Sequence, residues 1–136
     1  MVLIAKKGSW LERLVGKHSA KTIFPFIIVK EDYKDNKGLI EHEKVHIRQV
    51  LLGRGFLYYF SNEWKYRLEM EAYQKQLWVN MEEYKEIYKK KSEEEYKSHY
   101  MDKARQYANY LASNYGLPNG TYERAIKEFI LHYDRA

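Results

Sequence analysis

The chain has no cysteine. A disulfide framework is therefore ruled out, and any metal it binds must be held by nitrogen and oxygen atoms. The absence of thiols suits a reducing compartment. Nowhere does the sequence reach the run of about 18 apolar residues that a membrane-spanning helix requires. The apolar stretch Met1 to Ala5 is too short for the core of a secretory leader and runs straight into Lys6 and Lys7. The expectation is a soluble, cytoplasmic protein with no membrane partner. Charge of one sign is also scarce in excess. Twenty-four Lys and Arg stand against 19 Asp and Glu, a net of +5, and the surplus is spread through mixed-sign segments. That pattern makes nucleic acid an unlikely partner, though basic domains do sometimes bind it.

What is present is enough for one domain. With 136 residues, 45% of them hydrophobic, the chain can bury a core without staples. Tyrosine is abundant, at 14 residues, and its apolar ring with a wet hydroxyl suits half-buried helix faces. Ser9 to Glu12 reads as a capping box for a short helix over about 10–17. Thr22 to Val29 (TIFPFIIV) is β-branched and aromatic and is the one convincing strand. Pro25 removes an amide donor and so favours an edge position for it. Residues 31–38 read as a polar loop. Helical spacing returns from Leu39 to Leu52, stopped by Gly53 and Gly55, and Phe56 to Phe60 should add a further turn. A long helix should start at Ser61 or Asn62 and reach about residue 90. Ser92 caps the next helix, which Gly116 ends, and Thr121 opens the last. The expected class is α+β, mainly α. One domain should span 1–136, with a metal-site core over about 22–80 and a C-terminal helical buttress over about 81–136.

The chemistry is concentrated in His42-Glu43-Lys44-Val45-His46. On a helix, residues four apart share a face, so the two imidazoles can converge on one ion. Glu43 stands beside the first and is free to act on water. Zinc lowers the pKa of a water it binds toward about 7, and a neighbouring carboxylate can then take the proton. The spacing is what zinc-assisted amide hydrolysis needs. Other first-row ions accept the same donors. A catalytic zinc usually takes three protein ligands. His18, His99 and His132 are each isolated in sequence, which leaves the acids Glu63, Glu69 and Glu71 on the following helix.

The HExxH motif together with Arg67-Leu68-Glu69-Met70-Glu71-Ala72-Tyr73 resembles the gluzincins, the thermolysin-like branch of zinc peptidases. The nearest likeness is to their minimal bacterial and phage forms. The resemblance covers about residues 22–77. It implies a zincin-like fold, a peptide or protein substrate and Glu69 as third ligand, opening an Glu-x-x-Ala pattern. Glu71 is the alternative, and because the two point about 200° apart on a helix, only one can ligate. The chain departs from the family at Lys44, usually uncharged, and at Tyr73, which replaces an acid or amide that orients a ligand histidine. Gln49, one turn beyond His46, is a candidate hydrogen-bond partner for it. Tyr73 is a candidate donor to a developing oxyanion. Two further readings stay open. One is a zinc-stapled domain without catalysis. The other is a nucleic-acid module using the Tyr- and Lys-rich helices over about 75–110, with aromatics stacking on bases.

Overall fold

A computed structural model of the chain describes residues 1–135. Its N-terminal part is a small sheet with a helix on each face. Strands β1 (Val2–Ala5), β2 (Ala20–Ile23) and β3 (Phe26–Lys30) lie in the order β1-β3-β2, and helix α1 (Trp10–Val15) links the first two. β1 runs parallel to β3 and β2 antiparallel to it. The single edge strand expected over Thr22 to Val29 is thus corrected to two strands. The chain reverses at Phe24-Pro25, where the missing proline donor removes no ladder bond. β3 is the central strand. Its Ile27, Ile28 and Val29 are all buried, as expected of a strand covered on both faces. β1 had no sequence signal beyond four apolar residues; its place comes from pairing Val2 with Ile27 through Ala5 with Lys30.

Alternation along β3 assigns the two faces. Ile28 packs with Ala5 and Val15, beneath Leu11 of α1. Ile27 and Val29 face the other way with Ala20, against Leu39, Ile40 and Ile47. Those three residues belong to α2 (Lys37–Leu51), which begins two residues before the expected start because Asn36 caps it, accepting a hydrogen bond from the Leu39 amide. Gly53, at φ 75°, ends that segment. Residues Gly55–Tyr59 then form a 3-10 turn.

Helix α3 (Asn62–Ile87) starts at the Ser61 cap. α4 (Glu93–Asn114) starts at the Ser92 cap, and α5 (Thr121–Arg135) closes the chain. α3 lies between two partners. Gly38 of α2 meets its Gln76 and Asn80, and Gln49 meets its Leu68 and Glu71, so α2 and α3 are antiparallel. A side chain at Gly38 would put its Cβ 3.2 Å from the Gln76 carbonyl. Only glycine allows this approach without displacement. The other face of α3 presents Tyr66, Met70, Tyr73, Leu77 and Met81 to α4 and α5, which supply Tyr100, Ala104, Tyr107, Ala108, Leu111, Ala125 and Phe129. Trp78 of α3 and Ile130 of α5 lie outside this cluster, 49% and 40% exposed. No helix of the described residues is long and apolar enough to cross a membrane.

Candidate metal centre

The four-residue spacing on α2 sets the His42 and His46 rings edge to face, with centroids 5.0 Å apart. Their Nε2 atoms lie 3.3 Å from one another. α3 brings Glu69 onto the same point. Its Oε1 is 2.9 Å from His46 Nε2 and its Oε2 is 3.7 Å from His42 Nε2. Glu69 and His42 are buried and His46 is nearly so. These are the side chains among the described residues whose donor atoms converge closely enough for one ion.

The hydrogen bonds around the cluster decide which atoms carry protons. Gln49, 2% exposed, donates from Nε2 to the Leu68 carbonyl at 2.9 Å. Its Oε1 therefore faces His46 Nδ1, also at 2.9 Å. An amide oxygen only accepts, so His46 Nδ1 carries hydrogen and Nε2 of the neutral ring is a bare lone pair. That lone pair points at a carboxylate oxygen and at the other imidazole nitrogen. Such an arrangement is repulsive unless a cation sits within it, either a proton or a metal ion. Without a metal, the proton is the answer. Burial opposes charge on His46, but the Glu69 carboxylate outweighs it and raises the pKa to about 9. Burial alone would likewise raise the Glu69 pKa; the His46 charge, and with it the second imidazole beside the carboxylate, hold it far below the ordinary carboxylate range instead.

The donor set also fits a metal. Ligand atoms at about 2.0–2.1 Å from a tetrahedral zinc lie roughly 3.3–3.4 Å from each other. The two imidazole nitrogens are 3.3 Å apart, and one donor atom from each of the three side chains lies within 4.8 Å of the others. Glu69 Oε2 and His42 Nδ1 are buried without a hydrogen-bond partner, and an unsatisfied buried carboxylate oxygen is costly unless something electropositive reaches it.

Glu43 is buried on the same helix. Its Oε2 accepts from the Thr22 hydroxyl of β2 at 2.7 Å, which ties the carboxylate to the sheet. Glu71, the alternative third ligand, does not join the cluster. It faces Arg54 at 3.2 Å with its side chain 41% exposed, because two residues further along α3 turn it away from α2. It does accept weakly from Gln49, at 3.4 Å. Glu63 is engaged with Arg67 and Arg124, which pull its pKa down to about 2. Tyr73 lies edge-on to the His42 ring, 4.5 Å between centroids, so ring packing orients His42 where a hydrogen bond orients His46. The Tyr73 hydroxyl is bonded to that of Tyr115 at 2.8 Å rather than left free toward the centre. Burial raises the pKa of both phenols.

A cleft of about 360 Å³ opens onto His42 and Glu43, between the β2 approach and helices α3 and α4. Three residues at the site carried no sequence signal. Thr22 sits on a strand remote from the motif. His18 and Tyr115 line the cleft with their rings 6.0 Å apart, yet one precedes β2 and the other follows α4. His18 stays below its usual pKa, through burial and then through Lys17. His99 stacks on Tyr84 at 3.8 Å, and His132 lies on α5 near Trp78. The aromatic faces of the Tyr-rich helices are similarly engaged, Tyr107 on Tyr73 and Tyr100 on Tyr133.

Compared with protein-family models, curated proteins and solved structures, the chain matches none of them.

Proposed function

We propose that the chain is a zinc-dependent hydrolase of peptide or amide bonds, of gluzincin type. His42, His46 and Glu69 hold the ion, and Glu43 is the general base. The observation that carries this reading is the His46 tautomer, which aims a bare Nε2 at the Glu69 carboxylate and at His42 Nε2. A zinc ion held there supplies Lewis acidity, polarising a carbonyl and acidifying water.

The chain's own groups supply the remainder. Glu43 faces the cleft and takes a proton from water, then returns it to the leaving nitrogen. Thr22 holds its carboxylate in place. β2 is the outer strand beside this site, so its open edge can pair with an extended substrate. Three protein donors and an adjoining cleft favour a catalytic zinc over a closed structural one, which takes four.

Elemental analysis of protein purified without added metal tests the centre, and one zinc per chain is expected. Glu43→Gln should keep that zinc and lose about 10²–10⁴ in hydrolysis rate. A chain with no metal affinity, or a Glu43→Gln variant as active as the parent, defeats the proposal.

A further inference from the structure

The cleft beside His42 and Glu43 has an unusual lining for a peptidase pocket. Five carboxamide side chains face it, and the aliphatic contribution is limited to Ala20 and Leu39. Five tyrosines complete the lining, so the wall is aromatic and polar rather than aliphatic. The charges are also one-sided. Lys17, just before β2, and Lys103, on α4, lie on the wall, and Glu43 is its one carboxylate among the described residues. Glu43 already accepts from Thr22. The lysine ion pairs of the described residues involve Lys7, Lys44, Lys89 and Lys91, so neither cleft lysine is neutralised. Their fields are felt nearby: after burial, Lys17 depresses the His18 pKa and Lys103 that of His99.

One further group is unmatched. Gln76 is 6% exposed and lines the cleft, and its Oε1 is buried without a hydrogen-bond partner. A buried carbonyl oxygen accepts and cannot donate, so it calls for an N–H or O–H donor. The backbone amide of a peptide supplies one.

We propose that the cleft selects an acidic peptide, whose carboxylate side chains meet Lys17 and Lys103 while Gln76 Oε1 accepts a substrate N–H. The proposal rests on the hydrolase reading of the adjoining centre and names its substrate class. Partly exposed ion pairs are each worth about 0.2–1 kcal/mol, so each lysine should change affinity by about 1.4- to fivefold.

Fluorescence anisotropy on zinc-loaded Glu43→Gln protein measures this without turnover. The probes are a fluorescein-labelled hexapeptide rich in Glu and its Gln counterpart. The Glu peptide should bind about tenfold tighter at low salt, and the gap should shrink as salt screens it. The double variant Lys17→Gln/Lys103→Gln should bring the two peptides level, and Lys17→Glu/Lys103→Glu should reverse their order. Gln76→Leu should weaken both peptides alike, by about fivefold for one lost hydrogen bond. Equal affinities in the parent, a double variant that keeps the preference, or a hexathymidylate that competes as well as the Glu peptide would each overturn the proposal. The two readings fail separately. Acidic preference in binding without cleavage of either peptide by the wild type sinks the hydrolase and leaves the cleft; cleavage without acidic preference does the reverse.

Discussion

The metal-free chain should have a stability that depends on pH through one histidine. In the metal-free chain the cation that the three donors require is the His46 proton. Its pKa of about 9 in the folded chain stands against the ordinary 6.5 of a free imidazole. A histidine whose pKa is raised by folding stabilises fully below the unfolded value, and that contribution disappears as pH climbs through the folded one. Glu69, held low by the same pair, contributes above about 4.5 and is lost in acid. The two are one interaction and count once. The full effect should therefore span about pH 4.5–6.5 and decay toward pH 9. At about 1.36 kcal/mol per tenfold step in proton affinity, the interval from 6.5 to about 9 corresponds to about 3 kcal/mol. Urea unfolding in excess chelator at pH 6 and at pH 9.5 measures it directly. Zinc takes the place of this proton. Binding at pH 7 should therefore release about one proton, visible as a heat that depends on the buffer's ionisation enthalpy. A chelated protein equally stable at both pH values, with His46→Ala behaving the same, would refute the argument from the lone pairs.

Other consequences are more local. Gln49→Leu removes the acceptor at His46 Nδ1 and the donor to the Leu68 carbonyl, so zinc affinity should fall about 10–100-fold in a chelator competition; an unchanged dissociation constant would show that Gln49 does not orient the ligand. Thr22→Val deletes the 2.7 Å bond to Glu43 and should lower kcat/KM by about fivefold at constant zinc content, whereas an equal loss of zinc would make Thr22 structural. Phe129→Ala empties a fully buried position between α3, α4 and α5 and should cost about 3–5 kcal/mol in denaturant titration. Because Tyr73 joins that cluster and also packs on His42, cutting the chain after Lys91 should abolish zinc binding; a fragment 1–91 that melts cooperatively and keeps its zinc would make α4 and α5 a separate module.

The sequence by itself determined the features whose causes are local. Ser9, Asn36, Ser61 and Ser92 each cap a helix within one turn of their own position, although the apolar period by itself starts α2 only at Leu39. The period of α2 puts His42 and His46 on one face whatever surrounds it, so the two imidazoles and the neighbouring Glu43 were legible from spacing alone. Tertiary structure decided everything that depends on where a second element lies. A β-branched run with a proline inside reads equally as one edge strand or as a hairpin, and only pairing with Val2–Ala5 makes Phe26–Lys30 the centre of a sheet. Glu69 and Glu71 are chemically the same and two residues apart. The antiparallel packing of α3 on α2, close at Gly38, turns the first toward the histidines and the second toward Arg54. Thr22, His18 and Tyr115 come from three separate segments and share no pattern with the motif. Their positions beside Glu43 and across the cleft arise from the fold, since a cap or a helical period acts over a few residues while a site assembled from distant segments depends on how whole elements pack.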